Sequence, residues 1–151
     1  MAHKRAERTA VVTVGYAADE GGRGVVYAKM WSSTQARSLT SGSEPIVRVG
    51  FRTDVRPALR GREVAYAAVE AAARELLVAG VTTVEVRVAD AQLASDLAER
   101  RSVPADLAIP YIALRCVLNR FASFSVVACD DGTARDLTAR ARADVSLHVA
   151  A

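Results

Sequence analysis

LRGREVAYAAVEAAARELLVAGVTTVEVRVADAQLASDL, residues 59–97, decides the fold. Its first part carries apolar residues at helical spacing as far as Leu77 and stops at Gly80, a residue that ends helices because it enters the left-handed region without a steric penalty. From Val81 the period changes. VTTVEVRVA alternates apolar and polar side chains, as a half-buried strand does. The alternation breaks off at Asp90, and AQLASDLAERR reads as a short helix. A carboxylate delivered at the C-terminal end of a strand lies where open α/β sheets place their ligands, which suits a metal ligand or a catalytic base. It equally suits an N-cap, because the first N–H groups of the following helix have no partners of their own.

Upstream of this stretch the chain reads as strands. TAVVTVGYAA (9–18) is joined to VVYAKMW by the Gly-rich turn DEGGRG, and after the polar run SSTQARSLTSGSE a third strand emerges at PIVRVGFRT. Short turns favour antiparallel pairing, so the three form a meander. Downstream, Pro104 is a break, and IPYIALRCVLNRF is a helix with Pro110 in its first turn. ASFSVVAC is strand five, DDG a turn and TARDLTARARA a closing helix. A meander followed by helical crossovers to strands four and five implies a mixed five-stranded sheet with helices on both faces.

A chain of 151 residues, 51% hydrophobic and 25% charged, suffices for one well-buried core and is short for two. We therefore expect a single domain over 1–151, with 1–8 and 144–151 as tails. No run of about 18 apolar residues exists, and MAHKRAERTA lacks the apolar core of a secretion signal, so the expected location is cytoplasmic, with no membrane partner. Cys116 and Cys129 form neither a disulfide framework nor a C-x-x-C pair, and His3 and His148 lie near opposite ends. Zinc is not expected.

The net charge of +3 is mild, with acids spread along the chain, so no basic tail binds nucleic acid by charge alone. Arginines nevertheless crowd into RVGFRTDVRPALRGR: Arg48, Arg52, Arg56, Arg60 and Arg62, opposed only by Asp54. This strip is either a solvated edge or a surface that grips phosphate oxygens.

The chain resembles the ribonuclease H family, specifically the small type I enzymes and their reverse-transcriptase-like relatives, from Val11 to about Ala141. AYAAVEAAARELLVAGVTTVEV is similar to the family's long first helix with its Tyr and closing Gly before strand four. VADAQLA resembles the segment in which an Asp ends that strand. PADLAIPYIALRCVLNRFASFSVV is similar to the family's passage through a helix into strand five, and DGTARDLTARA to its final helix. The resemblance implies a ribonuclease H-like α/β fold. It also implies cleavage of the RNA strand of RNA–DNA hybrids by two divalent metals, Mg or Mn, held by four acids. Two ions about 4 Å apart need converging carboxylate oxygens.

Residue by residue, the acids are mostly absent. Val14, in Thr13-Val14-Gly15, stands at the family's first Asp. Ala65 stands at the Glu of the long helix, with Val64 the limit of the register. Asp90 meets the third position, and Arg135 occupies the fourth, with Asp136 one residue late. Glu63 is two residues from Ala65, about 200° around a helix. The resemblance thus leaves Asp90 as the catalytic candidate, with Glu63, Asp131 and Asp136 as further candidates. The closeness of Arg56, Arg60 and Arg62 at the start of the long helix, where anions are favoured, makes them with Arg135 the expected nucleic-acid contacts. The expected function is a nucleic-acid-binding domain for duplexes, including RNA–DNA hybrids, with an eroded two-metal site, hybrid cleavage weak or lost, and no cofactor. One alternative is an active hybrid endonuclease drawing on displaced carboxylates (Asp19, Glu20, Glu63, Asp90, Asp131, Asp136), in which Asp90 binds Mg or Mn. Another is an interaction or scaffold domain, homo-oligomeric or not. In the eroded site, Asp90 is expected either to pair with Arg135 or to cap the helix at Ala91.

Overall fold

The computed structural model describes residues 8–32, 46–59, 61–99 and 103–149. Its elements are β1 (Thr9–Ala18), β2 (Arg23–Ser32), β3 (Ile46–Arg52), α1 (Arg62–Val78), β4 (Thr83–Val88), α2 (Ala91–Glu99), α3 (Ala108–Leu118), β5 (Ser123–Ala128) and α4 (Gly132–Val149). Short 3-10 turns at Pro57–Leu59 and Ala105–Leu107 precede α1 and α3. The five strands form one sheet in the order β3-β2-β1-β4-β5. The first three are antiparallel neighbours, and β4 runs parallel to both β1 and β5, so the expected mixed sheet is present.

Local chemistry accounts for the junctions. The β1–β2 turn places Gly22 at φ 83°, where its N–H donates to the Asp19 carbonyl at 3.1 Å. A Cβ there would fall 1.8 Å from the Thr53 carbonyl oxygen, so this turn is pressed against the end of β3. Thr53 N–H completes the clamp by donating to the Gly22 carbonyl at 2.9 Å. Helix α1 ends in a Schellman closure: Gly80, at φ 84°, donates to the Leu77 carbonyl, and Val81 donates to that of Leu76.

Strict alternation in β1 and β4 sends Ala10, Val12, Val14, Val84, Val86 and Val88 into one core, where they meet Tyr66, Val69, Ala72 and Ala73 of α1 and Leu114, Val117 and Leu118 of α3. The opposite face of β1 is covered by α4. Gly15 makes that approach possible, since a Cβ on it would lie 2.3 Å from the Thr138 backbone nitrogen. Helices therefore lie on both faces. The closing helix runs on to Val149, so residues 144–149, expected as part of a tail, are helical; Asp144 is anchored there by Tyr27 and Arg48. The sheet's outer strands differ: β3 (IVRVGFR) carries two arginines, whereas β5 (SFSVVA) carries no charge.

Candidate functional site

The four positions at which the resemblance implies acids can now be located. Val14 lies in β1 and Ala65 in the first turns of α1, each 1% exposed and part of the hydrophobic core. Asp90 lies two residues past the end of β4, and Arg135 lies in the first turn of α4. β1 and β4 are parallel partners up to Thr13 and Arg87, so Tyr16 and Asp90, each three residues further on, end up as neighbours. The electrostatics agree: burial pushes the Tyr16 phenol well above its usual range, and the Asp90 charge adds to that. Tyr66 is raised too, first by burial, then by its hydrogen bond to Asp96, with Asp90 a smaller contributor. Asp90 thus lies at the level of Tyr16 on the neighbouring strand, with Tyr66 within reach of its charge.

Its carboxylate is engaged. Asp90 Oδ1 accepts a hydrogen bond from the Leu93 N–H at 3.0 Å, the geometry of an N-cap on α2. The expected pair with Arg135 does not form: Arg135 Nε lies 3.5 Å from Asp130 Oδ1, with the arginine side chain 71% exposed. The physical reason lies in side-chain direction. A helical side chain leans toward its own N-terminus, which carries Arg135 back over the DDG turn, while the α2 N–H groups already meet the Asp90 demand.

The other candidate acids serve the backbone or solvent. Asp131 caps α4, its Oδ1 accepting from Ala134 N–H at 2.9 Å. That bond, above all, lowers its carboxyl below the ordinary value. Asp136 is exposed. Glu63 is buried and accepts the Arg56 N–H through Oε1, which ties the loop before α1 to the helix; its Oε2 has no hydrogen-bond partner. Among the described residues no group of three or more His, Cys, Asp or Glu side chains could hold a metal ion. The donor set therefore does not fit a two-metal centre, for a hard cation needs several converging oxygens and the side chains of Val14, Ala65 and Arg135 supply none.

The arginines divide by what holds them. Arg62 pairs with Asp96 of α2, which also accepts from Tyr66 Oη at 2.7 Å and from Gln92 Nε2 at 2.9 Å. Arg56 Nη2 donates to the Asp106 carbonyl at 3.0 Å and keeps about half its side chain in solvent. Arg135 keeps most of its side chain in solvent while paired with Asp130, and Arg60 lies outside the described residues. Asp96 was not among the candidates. Its signal was available: Leu93, Asp96 and Leu97 share one helical stripe, so an acid lay on an apolar face.

Comparison with known proteins follows from this geometry. No family model matches the sequence, and no curated protein matches it. Solved structures do. RNase H1 from the halophilic archaeon Halobacterium salinarum superposes with a TM-score of 0.63 at 18% identity, covering 90% of this chain and 98% of that one. The chain has the ribonuclease H fold. The N-terminal RNase H domain of a Mycobacterium tuberculosis protein is similar over 95% of this chain and 99% of its own, with a TM-score of 0.66 and 16% identity. LC11-RNase H1, solved in complex with an RNA/DNA hybrid, gives 0.58 at 14% identity, over 89% and 97% of the two chains. In this ribonuclease H-like chain the end of β4 bears Asp90, while β1 and α1 present Val14 and Ala65 to the core. No helix among the described residues is long and apolar enough to cross a membrane.

Proposed function

We propose that this is a nucleic-acid-binding ribonuclease H-like domain, specific for duplexes that include RNA–DNA hybrids, whose two-metal site is eroded. The fold likeness supports duplex binding, since one similar structure holds an RNA/DNA hybrid. A single observation supports weak or lost cleavage: Val14 and Ala65, where the resemblance implies acids, are each 1% exposed within an apolar core, and neither side chain offers an oxygen ligand. Asp90 by itself is a helix cap. Arg56 and Arg135, whose head groups reach solvent, are the proposed phosphate contacts, and Arg62 is excluded from that role by its pairing with Asp96.

The test is a labelled RNA–DNA hybrid with Mg²⁺ or Mn²⁺, read both for binding and for cleavage. Binding should weaken steeply with salt, and Arg56→Ala and Arg135→Ala should each reduce the log–log salt slope by about 1. Cleavage should be absent at enzyme excess. Turnover that Asp90→Asn abolishes would establish the nuclease with displaced carboxylates instead, and salt-independent behaviour with no affinity for the hybrid would leave an interaction domain.

A further inference from the structure

We infer that the recess between α4 and the β2–β3 pair is a binding site for a phosphate group, formed by Arg23 and Arg52. These two residues are direct partners in the antiparallel register, followed along the same face by Val25 with Gly50 and by Tyr27 with Arg48. The face is the one that α4 covers, because Tyr27 Oη and Arg48 Nε reach Asp144 of that helix at 2.7 and 2.6 Å. Side chains directly opposite in such a pair stand about 5 Å apart at Cβ, and like charges placed so repel.

Arg48 is matched, since its Nη2 adds a second hydrogen bond to Asp144 at 3.0 Å. Arg23 and Arg52 are not. Among the described residues neither guanidinium has a carboxylate within ion-pair distance. Asp19, which also borders the recess, turns Oδ1 on the Arg23 backbone N–H at 3.0 Å. Between the arginines and α4 lies a hollow of about 580 Å³, within the size range of small-ligand sites. Gly50 keeps its floor open: a Cβ there would meet nothing nearer than the Gly24 carbonyl at 4.0 Å. The clamp of Thr53 on Gly22 fixes the two strand ends, so the Cα positions of Arg23 and Arg52 are set opposite each other before any ligand arrives.

Two planar donor forks bordering one hollow suit the tetrahedral oxygens of phosphate, whose two negative charges match the two unpaired cations. A phosphate dianion removes the repulsion that the empty site carries. Its source is either a terminal phosphomonoester or the diester backbone of a nucleic acid. The site lies on the sheet face opposite the core that surrounds Val14, and it stands apart from the reading of Asp90.

Inorganic phosphate is the probe, titrated into the wild-type protein, Arg23→Gln and Arg52→Gln by calorimetry and by thermal denaturation at constant ionic strength. Phosphate should raise the wild-type Tm where chloride does not, and each substitution should weaken its Kd at least tenfold. Without phosphate, each variant should be as stable as wild type or more so, because the repulsion is gone; an arginine with a purely structural role would show the opposite. Adenosine 5′-monophosphate and a hybrid with 5′-hydroxyl ends separate the sources: tighter binding of the former assigns a monoester, and duplex binding lost in Arg52→Gln assigns the backbone. No difference between phosphate and chloride in the wild type, or undiminished phosphate binding in both variants, overturns the site. Loss of phosphate binding with hybrid affinity intact would uphold it and leave duplex recognition to Arg56 and Arg135.

Discussion

Asp90 and Asp96, six residues apart, put the same functional group to unlike uses. The first caps a helix at the rim of the core, and the second, 4% exposed, binds Arg62, Tyr66 and Gln92 inside it. Removing one partner of a buried ion pair strands the other charge, at a cost of about 3 kcal/mol or more. Asp96→Ala should therefore lower the free energy of urea unfolding by about that amount, whereas Asp90→Ala, which loses a cap, should cost ~1 kcal/mol. Equal effects would show that the Asp96 network is not the interior tie described here. Asp131 predicts a pH effect. Its folded-state carboxyl is lowered chiefly by the Ala134 N–H, so its contribution is complete above the unfolded pKa of about 4 and disappears as pH falls through the folded value. The Tm of Asp131→Ala should lie below wild type at pH ~6 and converge on it toward pH ~2; a constant gap would remove the cap from the acid response. Asp90 was legible as a cap because β period, Asp and helix follow one another directly in the sequence. The Asp96 network was not, since which residues face an acid on an apolar stripe depends on how α1 and α2 pack.

At the scale of elements, the strands and α1 were readable because each has a sustained period bounded by Gly or Pro. Helical spacing starts α1 at Leu59, three residues before its first helical residue, Arg62. Gly61, at φ 76°, separates a 3-10 turn from the helix proper, and side-chain periodicity does not register a left-handed glycine. The end of α4 was missed because DVSLHV has no clear apolar stripe; tertiary bonds from Tyr27 and Arg48 to Asp144 tie its first residue to the sheet. The tightest junction between elements is β1 on α4. Gly15→Ala introduces a Cβ 2.3 Å from a backbone nitrogen that has no rotamer to relax into, and overpacking of this kind costs about 3 kcal/mol. Chemical denaturation measures it directly. An unchanged midpoint would mean that α4 shifts along β1 more freely than its packing implies.

For the whole molecule, fold and site parted company. The order of elements carried the ribonuclease H fold, while the positions of Val14, Ala65 and Arg135 rest on register alone, and the nearness of Tyr16 to Asp90 emerges only from the assembled sheet. The register can be tested by restoration. Val14→Asp, Ala65→Glu and Arg135→Asp together place four acids around one point, and buried carboxylates without a counter-charge destabilise the fold. Mg²⁺ should then raise the Tm of the triple variant and not that of wild type, by the linkage that stabilises any protein whose folded state alone binds the ion. Equal Tm values with and without Mg²⁺ in the triple variant would refute the alignment of these positions.

The unlike borders of the sheet set a limit on growth. A strand from another molecule can add most readily where unpaired backbone groups are unaccompanied by charge, which means at β5 and not at β3 with Arg48 and Arg52. Two molecules joined through their β5 strands would make one continuous sheet of twice five strands, and both of its outer margins would be the arginine-bearing β3. Such accretion terminates itself at a pair: the first addition consumes the uncharged margin, and among the described residues a fibre finds no second one from which to propagate.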